Sequence, residues 1–370
     1  MRILHLLDSL NRGGTETFVL DICRNAAANG FEMTFVATGS GTLEEDFQNS
    51  GVKFIKLPRK LPIDFSLVFK LRKIIKERKI EFIHAHQAVE GIHAYLAARG
   101  TNAKVVLSYH AYVPDKKNRW TLKYLIPRVS ANVVVSKFLL KFYAEEIGLN
   151  VTKNFHVLYN GVDNKRLKPT GKNLRDELKL GNDALLFGMI GNFYVAERKD
   201  QMTLCQALPK VFAEFPNAHC IFAGGIENGA EGKFADCVKF CKANNSAEKV
   251  HFLGVRNDVP DILAALDLFV FSSLHEGLPI ALNEAMLAEV PLIVSDIEPL
   301  LEATENGKYA EVFQTKNADE LSAKISKLLQ NKDLREDFAK RAKVFADETF
   351  SIEAHLRNLK KLYKSINEIN

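Results

Sequence analysis

The segment SSLHEGLPIALNEAM, residues 272–286, sets two carboxylates, Glu276 and Glu284, eight positions apart. It follows the apolar run DLFVF, which reads as a strand. Gly277 permits a tight turn, and Pro279 suits the first turn of a helix. Glu276 is therefore expected in a strand-to-helix loop and Glu284 in the second turn of the helix. The free N–H groups of such a helix start, together with its dipole, suit a phosphate. A carboxylate beside a phosphate is electrostatically unfavourable unless it binds hydroxyls, and sugar and ribose hydroxyls are its natural partners. The same spacing also fits a capping Glu followed by a surface Glu on an ordinary helix.

Three other loops carry reactive types. IGNFYVAERKDQ, residues 190–201, again lies between a strand pattern and a helix pattern, and offers Arg198 and Lys199. Each cation within ~4 Å of a phosphate contributes a few kcal/mol in a partly wet site. The alternative is a solvated basic pair at a helix start, where the dipole disfavours it. SLNRGGTE, residues 9–16, puts Gly13 and Gly14 at the end of the first strand, open to close backbone approach. It is not a G-x-G-x-x-G fingerprint. SYHAY, residues 108–112, ends a strand at His110, which can donate to a sugar hydroxyl or serve as a structural histidine. His84 and His86, at another strand end, read as structural. No Asp-x-Asp pair and no metal-ligand spacing occurs, so a metal clamp on a diphosphate is not expected and Lys and Arg would replace it.

The elements that must hold these loops alternate. Short Val-, Ile- and Phe-rich runs at 2–7, 32–37, 52–57, 81–84, 104–109, 131–135 and 155–158 are separated by amphipathic stretches. After the polar, Gly- and Pro-bearing segment 159–183, which reads as a domain linker, runs recur at 184–190, 219–224, 250–254, 267–273 and 291–296. Continuous apolar runs such as NVVVS argue for parallel strands buried on both faces. The expected fold class is α/β, with two doubly wound Rossmann-like domains facing across a cleft. The expected domains are 1–165, 166–350, and a helix within 351–370 that returns to the first domain. Residues 317–370 carry helical patterns without a strand signal.

The 370 residues, 47% apolar and 26% charged, exclude disordered and fibrous classes. No segment resembles a secretion signal or the ~20 apolar residues of a membrane span, and the five scattered cysteines suggest reduced thiols, so a cytoplasmic location is expected. Cys237 and Cys241, four apart on a helix pattern, lack a second ligand pair and read as ordinary thiols. The net charge of +5 is uneven: residues 1–165 hold 24 Lys and Arg against 15 Asp and Glu. Between Lys53 and Lys79 stand ten basic and two acidic residues, a patch suited to anionic ligands or an anionic membrane, or simply a solvated helix face.

In their order along the chain, these pieces resemble the retaining glycosyltransferases of the two-Rossmann-domain (GT-B) fold, specifically the group-1 or family 4 class. The resemblance rests on GGTE at 13–16, the His of SYH, YNGVD at 159–163, IGNF and RK at 191–199, FAGG at 222–225, HFLGVRND at 251–258 and EGLPIALNEAM. It implies that Glu276 binds the donor sugar while the backbone of Gly277 and Leu278 holds phosphate. It further implies that Glu284 binds ribose, Lys199 neutralises the departing diphosphate, His110 lies beside the reacting carbon and Gly14 faces the phosphate and acceptor. Gly254, Val255 and Arg256 look like a base-binding edge. Two positions depart from the family. Asn192 stands where an Arg is usual, with Arg198 as the candidate substitute charge, and Glu289 stands where a Gly is common.

The expected reaction is transfer of a sugar from a nucleoside-diphosphate sugar to a hydroxyl of a glycan or lipid-linked acceptor, as in cell-surface polysaccharide synthesis, without cofactor or metal. The alternatives are an epimerase or phosphorylase on the same fold, or a non-catalytic nucleotide-sugar-binding subunit. A nucleic-acid partner is disfavoured because the basic patch lacks interleaved aromatics. Residues 65–79 and 119–128 mix basic and bulky apolar side chains and suggest peripheral docking on an anionic membrane.

Overall fold

The computed structural model describes residues 1–111, 116–147 and 154–368. The chain divides into two compact units. The first joins Met1–Val162 to the stretch from Thr349 onward, and the second is Asp163–Glu348.

The first unit is built on seven strands: β1 (Arg2–Leu7), β2 (Glu32–Ala37), β3 (Lys53–Lys56), β4 (Phe82–Ala85), β5 (Lys104–Tyr109), β6 (Ala131–Val134) and β7 (Phe155–Val157). They lie in the order β3-β2-β1-β4-β5-β6-β7. Every pairing is parallel. The order reverses between β1 and β4, the switch point at which such sheets bind ligands beyond their carboxyl ends. All residues of β4 and β6 are buried, the polar His84 and Asn132 included, so neither strand alternates between a wet and a dry face.

The second unit has six parallel strands: β8 (Leu185–Ile190), β9 (Ala218–Ala223), β10 (Val250–Gly254), β11 (Leu268–Phe271), β12 (Leu292–Ser295) and β13 (Glu311–Phe313). Their order is β10-β9-β8-β11-β12-β13, with the switch point between β8 and β11. β13 was not expected from the sequence. It is only three residues long, and its Glu311 is buried because Lys324 and Lys327 of the following helix reach its carboxylate at 2.9 and 2.5 Å. The five cysteines are free and buried.

Two expectations need correction. The stretch 159–183 is not a bare linker. Asp163 caps a 3-10 turn over Asn164–Leu167, and Asn173 caps the short helix Leu174–Glu177. Arg175 fastens this segment to the second unit, 2.6 Å from Asp267 and 2.6 Å from the Ala184 carbonyl. Thr170 adds hydrogen bonds of 2.7 Å from its amide and hydroxyl to Asp261. Pro279, in turn, is the residue before the helix Ile280–Leu287 and not part of its first turn, because its backbone is extended.

Helix Ile352–Glu368 belongs to the first unit. Its Tyr363 stacks on Phe82 at 4.5 Å, Lys360 donates to the Asn29 carbonyl, and Lys104 donates to the Ile366 carbonyl at 2.7 Å.

Candidate functional site

In the second unit, Glu276 lies in the loop after β11 and Lys199 in the loop after β8, and the two meet. The Lys199 ammonium donates to Glu276 Oε1. It also sits 3.9 Å from the centre of the Phe271 ring, a cation–π contact. Ser273 Oγ lies 2.5 Å from Glu276 Oε1 and 2.7 Å from the Arg198 carbonyl, tying the carboxylate to the lysine loop. Lys199 and Ser273 form an antiparallel bridge that brings these loops together. Burial pulls the Lys199 pKa below its ordinary value, and the Glu276 carboxylate opposes that pull. A side chain at Gly191 would press against Lys199 Cε at 3.1 Å, so the glycine leaves room for the ammonium stem.

Arg198 does not join this pair. Its side chain is exposed and lies over the Tyr194 ring at 5.3 Å. Asn192, in the position where an arginine was expected, uses its side-chain oxygen to accept from the Gly225 amide at 2.8 Å. The loops after β8 and β9 are thereby joined, and Gly224 donates to the Gly254 carbonyl at 2.9 Å, adding the loop after β10. Gly224, at φ +156°, approaches so closely that an added Cβ would lie 2.3 Å from the Gly191 carbonyl oxygen. At the rim of this junction, Gly254 has a left-handed φ of +64° and Val255 is exposed. Arg256 is occupied: its guanidinium holds both Glu177 oxygens at 2.6 and 2.9 Å and both Asp258 oxygens at 2.8 and 2.7 Å.

Helix Ile280–Leu287 begins just after the buried Gly277 and Leu278, and no side chain caps its N-terminus. The first-turn amides are thus directed toward the Glu276 loop. Glu284, in the second turn, pairs with Arg166 at 2.6 Å. Sequence reasoning missed Arg166 because it stands in the stretch taken for a linker. The helix ends in a Schellman motif: Val290 donates to the Ala285 carbonyl at 3.0 Å and Glu289 to Met286 at 3.1 Å. Glu289 adopts φ +59°, which explains why a glycine suits that position.

In the first unit, the helix Gly14–Asn25 starts after Gly13, again without a side-chain cap on the Gly13 position. Its own Glu16 folds back, so that a Cβ at Gly13 would lie 2.5 Å from Glu16 Oε2. Burial raises the Glu16 pKa, and hydrogen bonds from its own amide and from Ser9 oppose the rise. His110 follows β5 directly, and its ring stands edge-on to Phe18 at 5.7 Å. Burial and the neighbouring His355 pull His110 down to about 4, against the adjacent Asn160 side chain, which favours the charged ring. His84 and His86 are buried beside it, with rings stacked at 4.7 Å. Tyr112, the last residue of SYHAY, lies outside the described residues.

Among the described residues, no group of three or more His, Cys, Asp or Glu is placed to hold a metal ion. The groups the site does present are an ammonium held against a carboxylate, uncapped helix amides and a buried imidazole.

Comparison with known proteins fits this arrangement. Residues 172–345 match the family described as "Glycosyl transferases group 1", and residues 12–166 match "Glycosyltransferase Family 4". A galactosyltransferase of Escherichia coli, named for UDP-Gal and α-D-GlcNAc-diphosphoundecaprenol, is 25% identical over 317 residues, covering 80% of this chain and 78% of that protein. A Campylobacter jejuni α-1,3-N-acetylgalactosaminyltransferase, named for N,N'-diacetylbacillosaminyl-diphospho-undecaprenol, is 34% identical over 141 residues, 37% of each chain. Among solved structures, Anabaena Alr3699/HepE in complex with UDP and glucose superimposes with a TM-score of 0.86 at 20% identity, covering 99% of this chain and 100% of that one.

Proposed function

The chain belongs to the group-1, family 4 glycosyltransferases, and from that premise we propose how it works: a retaining, metal-independent transfer from a nucleoside-diphosphate sugar to a lipid-linked glycan. The single observation that carries this reading is the Lys199–Glu276 contact at the carboxyl end of the second sheet, beside an uncapped helix N-terminus. The two charges satisfy each other across this contact. A bound donor separates their tasks, with Lys199 turning to the diphosphate and Glu276 to the sugar hydroxyls.

The main electrostatic demand of the reaction is charge building on the leaving diphosphate. The Gly277 and Leu278 backbone and the first-turn amides of helix Ile280–Leu287 meet it without reorganising, and the Lys199 ammonium joins them once it has turned from Glu276. Glu284, oriented by Arg166, takes the ribose hydroxyls, and the loop of Gly254, Val255 and Arg256 borders the base. Arg256 contributes by holding that loop through Glu177 and Asp258, since its donors are already engaged. Because the cations and amides gather on the leaving diphosphate, attack on the donor's front face, with a diphosphate oxygen taking the acceptor proton, is the route we favour. His110 and Gly14 serve the acceptor side.

The two relatives named for undecaprenol-linked sugars support a lipid-linked acceptor, and the first unit offers a face that fits one. On helix Phe65–Glu77, Leu67, Val68, Leu71 and Ile75 are buried, whereas Phe65 and Phe69 are 64% and 66% exposed beside exposed Lys70, Lys73 and Lys76. Trp120 is 76% exposed. No helix of the described residues is long and apolar enough to cross a membrane. An anionic lipid surface would take both the basic and the apolar groups of this face.

The test is a thermal-shift screen of nucleoside-diphosphate sugars, followed by transfer assays with the stabilising donor, with and without chelator. A ligand at 100 times its Kd stabilises by about 2.7 kcal/mol. Lys199→Ala is expected to lower kcat by ~10²–10³. Glu276→Ala is expected to abolish transfer. An α-configured product from an α-configured donor establishes retention, and a sugar altered without any acceptor would identify an epimerase instead.

A further inference from the structure

Three imidazoles form a hydrogen-bonded row across neighbouring strands of the first sheet. His5 lies in β1, His86 just after β4 and His110 just after β5. His5 Nδ1 is 2.9 Å from His86 Nε2, and His86 Nδ1 is 3.0 Å from His110 Nε2. Burial keeps all three rings neutral near pH 7, with each pKa below the ordinary histidine value.

A neutral imidazole carries one N–H and one lone pair, so each link needs one donor and one acceptor. The row then has only two consistent arrangements, and each ends in one unmatched N–H. Running one way, that N–H is His5 Nε2; running the other, it is His110 Nδ1. Both atoms are buried and neither makes a hydrogen bond of ordinary geometry, although the Asn160 side chain stands next to the His110 ring. The ends differ, however. His5 is fully enclosed at 0% exposure, and an orphaned N–H there would go unsatisfied in every state of the enzyme. His110 sits at the strand end, is partly exposed, and lies where the Asn160 side chain favours added proton charge on the ring. A donor at that end can be satisfied by a ligand.

We propose that His5 and His86 are positioning residues that fix His110 as its Nδ1–H tautomer, so that His110 meets the ligand as a hydrogen-bond donor and not as a base. His5 Nδ1–H donates to His86 Nε2, and His86 Nδ1–H donates to His110 Nε2. The group that fits the free N–H is an oxygen acceptor, either a sugar hydroxyl or an oxygen gaining negative charge. The ligand assignment rests on the glycosyltransfer reading, whereas the tautomer does not.

Histidine ¹⁵N NMR of the full chain at neutral pH tests it, with the His110 signals identified by their loss in His110→Gln. The expected result is a protonated Nδ1 and an unprotonated Nε2. His86→Leu removes the donor to Nε2, and His110 is expected to lose its single tautomer while kcat falls about tenfold and donor KM stays within about twofold. His86→Gln, whose amide can accept from His5 and donate to His110, is expected to keep the tautomer and most of the rate. A protonated Nε2 on His110 in the unaltered protein overturns the proposal, as does an unchanged tautomer in His86→Leu. A Nδ1–H tautomer in a protein that transfers no sugar would leave the relay standing and sink the function instead.

Discussion

Arg166 reaches Glu284 from a 3-10 turn at the start of the second unit, with the two side chains 19% and 10% exposed and 2.6 Å apart. A charged pair this enclosed depends on both partners, and the carboxylate that Arg166 holds in place is the acceptor a ribose diol needs. Removing one member of a buried pair costs about 3–5 kcal/mol. Arg166→Ala is therefore expected to lower thermal stability markedly and to weaken donor binding. Calorimetric titration with the donor identified in the screen reads the second effect. Arg166→Ala, Glu284→Ala and the double variant form a cycle in which the double should cost less than the sum of the singles. Additive costs would show that the pair is not coupled.

Glu289 closes the helix that carries Glu284, in a left-handed conformation at φ +59°. Glu289→Gly removes the Cβ strain while loosening the unfolded chain, and is expected to stabilise the protein by about 0.5–1 kcal/mol. Chemical denaturation measures the gain. Glu289→Val, β-branched, is expected to lose stability at the same position.

The buried histidines set the acid response of the first unit. Burial holds His5 at about 3, and His110 and His355 at about 4, against 6.5 for an ordinary histidine. The unfolded chain therefore binds more protons than the native one below pH 6.5. This contribution to stability is complete above that pH and drains away as pH falls toward the native values. Each histidine that remains neutral costs about 1.4 kcal/mol per pH unit in that window. Melting temperature recorded from pH 7.5 to 4.5 should fall with increasing steepness below 6.5. A flat profile to pH 5 would show that the rings gain protons without unfolding.

The apolar and basic face around Phe65 and Phe69 predicts salt-sensitive adsorption to membranes. Sedimentation with phosphatidylglycerol vesicles at low salt is expected to bring the protein down, and with phosphatidylcholine vesicles to leave it in solution. The double change Phe65→Ser and Phe69→Ser should reduce binding several-fold without affecting folding, because neither ring is buried. No binding at low salt would remove the idea.

Much of the scaffold was legible because parallel strands buried on both faces have no alternative to continuous apolar runs. β11 and β12 show this most plainly. β13 was illegible because its burial of Glu311 depends on two lysines supplied by another element. The site divides the same way. Residue types and loop positions pointed to Lys199, Glu276, Glu284 and His110, while the contacts they make did not show. Glu276 meets a lysine 77 positions upstream, and Glu284 meets an arginine in a segment whose polarity suggested a tether. One signal was available and unused: His84 and His86 are two apart, so a strand puts both rings on one face, beside a histidine in the adjoining β1.

Tyr363 donates to or accepts from His84 at 2.7 Å and stacks on Phe82, and His355 bonds the Tyr159 carbonyl at 2.8 Å. These groups enter the first unit from a helix that the ribosome makes only after the whole of the second. The strands synthesised earliest must then wait, incompletely covered, while Asp163–Glu348 emerges and folds, so the later half of the protein is finished before the earlier one.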